Sequence, residues 1–148
     1  ETLRLSKKYE TIIIDTGGRD TTSQRAALSV ANVLLVPFVP RSFDVWTLEK
    51  VGALVAEIKT INPDLVAYTF INRADPKGQD NDDAADVLKE TDALTFIDVK
   101  LGVRKAFSNA AATGQGVAEL KPNDSKAVAE MATLFKCVFN AISTLNKY

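Results

Sequence analysis

The chain has 148 residues, 46% of them apolar and 25% charged, and a net charge of −1. That size supports one globular domain with its own core, and that charge argues against wholesale coating of nucleic acid while leaving room for a local basic patch. The lack of histidine excludes Ser-His and Cys-His catalysis and most zinc sites; no apolar run approaches the roughly 18 residues of a membrane span; and the lone Cys137 can form no internal disulfide, which points to a reducing cytosol.

Residues 11–15 (TIIID) read as a short strand buried on both faces, because the apolar run does not alternate. Residues 22–31 read as a helix, and 33–37 (VLLVP) as a second buried strand ended by Pro37. Residues 43–61 form a long helix, with Leu48, Val51, Val55 and Ile58 on one face and Pro63 closing it. A third strand covers 65–71, a polar loop 74–83, and a helix about 83–91, whose acidic start suits a helix N-terminus. A fourth strand covers 95–99, and a helix 102–113 stops at Gly114. The last helix, about 124–146, carries Val128, Met131, Phe135, Val138, Ile142 and Leu145 as a core-facing stripe. Strands alternating with helices imply βαβ units and a parallel sheet. Asp15, Pro37, Asn72 and Lys100 then lie at one edge of it, where such folds bind ligands.

The stretch YETIIIDTGGRD, residues 9–20, drives a strand into a carboxylate and then removes side-chain bulk. A buried Asp15 needs a partner, and a metal ion is one candidate. Gly17 and Gly18 would let the backbone approach a phosphate and donate its N–H groups. An ordinary Asp/Gly turn leaving a strand accounts for the same residues.

Four segments, taken in order, resemble the ParA/MinD-type ATPases, most closely the ParA-like partition proteins, over nearly the whole chain. YETIIIDTGG is similar to the family's Walker B strand and switch, and ANVLLVPFVPRSFDVWTLEKV to its next strand, Pro-x-x-Pro loop and helix. FINR is similar to its nucleotide-base loop, and AFSNAAATGQGVAEL to its Gly-x-x-Val-x-Glu segment, here Gly114, Val117 and Glu119. The resemblance implies a three-layer, doubly wound, mostly parallel sheet of the P-loop NTPase type. It implies ATP and Mg²⁺ as cofactors, with Asp15 as the magnesium-linked carboxylate and Gly17 and Gly18 as the switch near the γ-phosphate. Pro40 falls in the nucleotide-binding loop, Asn72 on the adenine edge, and Arg73 beside the base or ribose. Arg104 and Lys105 stand where relatives carry basic residues that touch DNA; a solvated helix start accounts for them equally. The implied partners are non-specific DNA, a ParB-like centromere-binding protein and a second copy joined through nucleotide. The implied setting is the bacterial cytoplasm at the nucleoid, with no membrane role, since the C-terminal amphipathic stretch carries only Lys136 and Lys147 as charges.

The family's glycine-rich Walker A loop is not among these residues, and no G-x-x-x-x-G-K-[ST] occurs. The chain starts at Glu1 and its one methionine is Met131. The expectation is therefore the C-terminal part, residues 1–148, of a single ATPase domain, with its catalytic groups in an upstream part and with strand edges left bare. Two other readings stand beside it. A GTP-binding switch would use Asp15-Thr16-Gly17-Gly18 as D-x-x-G and Asn72-Arg73-Ala74-Asp75 as a near match to N-K-x-D, with Asp75 accepting from guanine N1 and N2. A degenerate interaction or dimerisation module would keep the fold without nucleotide.

Overall fold

Residues 1–17, 20–42, 45–77 and 79–145 are described by the computed structural model. In chain order they form helix α1 (Thr2–Leu5), helix α2 (Thr22–Leu28), strand β1 (Val33–Phe38), a 3-10 turn (Pro40–Ser42) and helix α3 (Val45–Lys59). Strand β2 (Val66–Ala74), helix α4 (Asp80–Lys89), strand β3 (Thr95–Gly102), helix α5 (Lys105–Thr113) and helix α6 (Ser125–Leu145) follow. The three strands are parallel and ordered β1-β2-β3, so each neighbour pair is joined by a helical crossover, α3 and then α4. Two crossovers of the same hand along one direction put both helices on one face. One core cluster accordingly joins Leu48 and Val55 of α3 with Ala84, Ala85 and Leu88 of α4, over Ala67 and Ile71 of the central strand. The alternate β2 residue Phe70 packs the other way, with Val99 and Leu101 of β3 against Leu134 and Val138 of α6. The protein is thus an α/β sheet covered by helices on both faces.

Local chemistry fixes the helix ends. Thr21, in extended backbone, accepts a bond from the Gln24 N–H at 3.2 Å and caps α2. Asp124 caps α6 by accepting from the Lys126 and Ala127 N–H groups, both at 3.0 Å. Gly114 ends α5 in the left-handed conformation, φ 66°, which a side chain would disfavour. Helix α4 begins three residues earlier than the polarity of 74–83 suggests. Asp80, Asp82 and Asp83 occupy its first turn, where the positive end of the helix dipole favours acids.

The expected strand at 11–15 does not form. Residues 11–17 carry no regular structure, Ile13 is 84% exposed and Asp15 is exposed, so Asp15 is not the buried carboxylate that the apolar run implies. An apolar run becomes a strand only when a neighbour takes up its backbone groups, and none of the three strands does so. The fourfold strand-helix alternation is therefore threefold. Strand β1 is an edge. The Val66 N–H donates to the Asn32 carbonyl at 3.0 Å, so Asn32, Leu34 and Val36 turn their backbone toward β2. Val33, Leu35 and Pro37 turn theirs outward. Pro37, which has no N–H, sits on the outer side, the position in a sheet where its missing donor costs least.

Thr69 in β2 is fully buried and its hydroxyl has no partner among the described residues. Replacing it by the isosteric valine removes an unsatisfied group without opening a cavity. Thr69→Val is expected to stabilise the fold by about 1 kcal/mol, read as a higher urea midpoint at unchanged slope. A lower midpoint would show that the hydroxyl is bonded.

Candidate functional site

The carboxyl ends of β1, β2 and β3 converge on a cavity of about 660 Å³ lined by Val39, Arg41, Arg73, Asp75, Pro76 and Val103. It is a cleft open to solvent, at the edge where ligands of parallel α/β sheets bind. Val39, Pro76 and Val103 give apolar walls. Arg41, Arg73 and Asp75 supply charge.

Arg73 owes its position to a fault in the ladder. In the β2–β3 register Asn72 faces Leu101 and Ala74 faces Gly102, so Arg73 is an extra residue on β2. It has φ 54°, the one residue other than glycine with positive φ among those described. The left-handed region costs a side-chain-bearing residue about 1–2 kcal/mol. The Asn72 side chain holds it there, accepting the Arg73 N–H on Oδ1 at 2.9 Å. Bulges of this kind re-aim a side chain. Arg73 is turned into the cavity wall, and among the described residues its guanidinium has no hydrogen-bond or ion-pair partner.

Asp75 is fixed from both sides of its backbone by the buried Asn81 at the start of α4. Its N–H donates to Asn81 Oδ1 at 3.1 Å, and its carbonyl accepts from Asn81 Nδ2 at 2.6 Å. Its carboxylate accepts the Lys77 N–H on Oδ1 at 3.2 Å and pairs through Oδ2 with the Arg41 guanidinium. The Arg41–Asp75 pair joins the turn after β1 to the loop after β2 across the cavity. In the sequence Asp75 reads only as a guanine acceptor, and neither Arg41 nor Asn81 carries an expected role at the site. The Pro-x-x-Pro-Arg run was the available signal for Arg41; Asn81 lies in what reads as a polar loop.

The other expected site residues divide. Pro40 is buried, begins the 3-10 turn and adjoins the lining residues Val39 and Arg41. Asn72 is half-buried but lines no part of the cavity, and its Oδ1 is engaged by the Arg73 backbone. Asp15 and Gly17 lie on the irregular segment before α2, with no hydrogen bond to the cavity among the described residues, and Gly18 lies outside those residues. Lys100 falls inside β3 and pairs with Asp82 of α4 at 2.7 Å. Lys105 is exposed at the first turn of α5. Arg104 is paired: its Nε lies 3.0 Å from Glu130 Oε2 and its Nη2 bonds the same carboxylate. Glu130 also accepts the Gly102 N–H at 3.0 Å. One carboxylate thereby ties α6 to the end of β3, beside the cavity residue Val103.

A nucleotide fits the cavity's chemistry: apolar walls for a base, and in Arg73 a cation with no partner among the described residues for a phosphate or ribose oxygen. The carboxylate that the resemblance assigns to magnesium is not at this cavity. Among the described residues no group of three candidate ligands exists, and Asp15 is not held at the cavity. That ion needs carboxylate and phosphate oxygens in near-octahedral array.

Glu130 supplies a pH test of this scaffold. The Arg104 guanidinium, with help from the Gly102 N–H, holds its carboxyl below the ordinary value of 4.5. A carboxyl that titrates lower when folded favours folding above its unfolded value, and that contribution is lost as pH falls through the folded value. Glu130→Gln is therefore expected to lower stability at neutral pH and to flatten the acid limb of the melting temperature below about pH 4.5. Glu130→Ala should cost about 1–3 kcal/mol at pH 7. An unchanged acid limb in Glu130→Gln would remove the pair from the account.

No protein-family model, no curated protein and no solved structure matches this chain.

Proposed function

We propose that the chain is part of an ATP-binding partition ATPase of the ParA/MinD type, and that the cavity at the carboxyl ends of its strands takes the nucleotide. The observation that carries this reading is Arg73. An arginine held in left-handed backbone by its own neighbour, in a bulge at the carboxyl edge of the sheet, keeps a cation with no partner among the described residues in a cleft of mixed apolar and charged lining. Strain of that kind persists where the surroundings impose it, and here it serves no core contact, since Arg73 is exposed. The four sequence segments that resemble the family, two of which run into the cavity's rim, support the same reading.

In this function Arg73 and the apolar walls bind and orient the nucleotide, and Asn72 holds Arg73 in place. Bound ATP would supply the phosphoryl group whose transfer to water drives the cycle. The family resemblance assigns the magnesium-linked carboxylate to Asp15, which in this structure is exposed on the irregular segment before α2. DNA contact through Lys105, dimerisation with nucleotide and stimulation by a centromere-binding partner belong to the same proposal. Moving plasmid or chromosomal DNA would be its outcome.

Arg73→Gly separates binding from folding. Glycine accepts φ 54° without strain, so the variant is expected to melt no lower than the parent. ATP binding by the natural full-length protein should weaken roughly ten-fold or more, the weight of one charge-assisted hydrogen bond. Undiminished ATP affinity in a stably folded Arg73→Gly protein would overturn the assignment.

A further inference from the structure

Asp75 is held far more firmly than a loop carboxylate requires. Its N–H and carbonyl are both bonded by Asn81, itself only 8% exposed, and its carboxylate accepts from the Lys77 backbone and from Arg41. Asp75 lies on the cavity wall, where a free carboxylate would face a bound base. Guanine presents two adjacent donors, N1–H and N2–H, which match the two oxygens of a carboxylate. Adenine presents a lone pair at N1 beside its amino group, and a free carboxylate would repel that lone pair.

Resting on the nucleotide reading above, we propose that Arg41 sets base specificity. By pairing with Asp75 it withholds the carboxylate that would otherwise select guanine, and so leaves the site to adenine nucleotides. The geometry favours this role over a purely structural one. The Arg41 side chain is 71% exposed while that of Asp75 is 26% exposed, so the guanidinium caps the carboxylate from the solvent side and carries little packing of its own. Asn81 keeps Asp75 at the cavity wall whether or not Arg41 is present, so removing Arg41 uncovers a carboxylate that is already positioned. The partners lie 34 residues apart, on the segments that follow two different strands, and both line the cavity.

The test is competition between ATP and GTP for a fluorescent nucleotide on the natural full-length protein, with melting curves as the folding control. The parent is expected to prefer ATP. Arg41→Met should move the ATP:GTP affinity ratio toward GTP by about ten-fold, the discrimination of one bidentate base contact. Arg41→Lys, which keeps a cation for Asp75, should retain the parent's preference. The double variant Arg41→Met with Asp75→Ala should lose the gain for GTP, because the effect acts through that carboxylate. If ATP binds and Arg41→Met leaves the ratio unchanged, or if the parent already prefers GTP, the specificity proposal is wrong while nucleotide binding stands. If the parent binds neither nucleotide at millimolar concentration, the nucleotide reading fails and the specificity proposal falls with it.

Discussion

The extra residue Arg73, near the carboxyl end of β2, organises the cavity edge of this protein. Without Arg73 as a bulge, β2 would continue its alternation and the next side chains would stay in the plane of the two core faces. The bulge breaks that alternation at the strand end, turns a cation into the cleft and starts the loop that delivers Asp75. The strain is supported locally, by the Asn72 side chain behind the Arg73 N–H, and the loop beyond is supported by Asn81 from α4. Two asparagines, neither of them lining the cavity, thus build the geometry that the cavity residues present.

The rest of the fold supplies the rigidity this arrangement needs. The central strand is covered by α3 and α4 on one face and by α6 on the other, with Ile71 and Leu88 fully buried. Glu130 anchors the neighbouring strand end by taking both the Gly102 N–H and the Arg104 guanidinium. The same pairing removes Arg104 from the free cations of this surface and leaves the exposed Lys105 beside it. The opposite margin is less complete. Among the described residues no strand faces the outward groups of Val33 and Leu35, and Thr11, Ile13 and Ile14 before α2 are exposed. A bare strand edge is a pairing hazard, which Pro37 blunts at one end only.

Much of the architecture was legible from periodicity. The strands at 33–37, 65–71 and 95–99, the long helix closed by Pro63, and the Gly114 stop all lie within a few residues of the observed elements, because burial on both faces and chain punctuation are properties of the local sequence. The strand at 11–15 was not, because its apolar run says nothing about whether a neighbour exists to accept its hydrogen bonds. The site was legible only in part. Asn72, Arg73 and Pro40 stand out through strand-end position and family resemblance. A left-handed arginine leaves no compositional mark, since glycine or asparagine is the usual signal for that conformation. The Arg41–Asp75 pair is a tertiary contact, and Asn81 acts through backbone groups of a residue six positions earlier.

The central claim is that the carboxyl edge of the sheet binds nucleotide. Backbone amide shifts of the isotopically labelled protein, followed by NMR during titration with Mg-ATP, test it most directly. The account predicts saturable shifts concentrated at 38–42, 72–77 and 102–105, around the ends of β1, β2 and β3. Shifts confined to the amino ends of the strands, near 32–33, 65–66 and 94–95, or no saturable shifts at millimolar ATP, would contradict it.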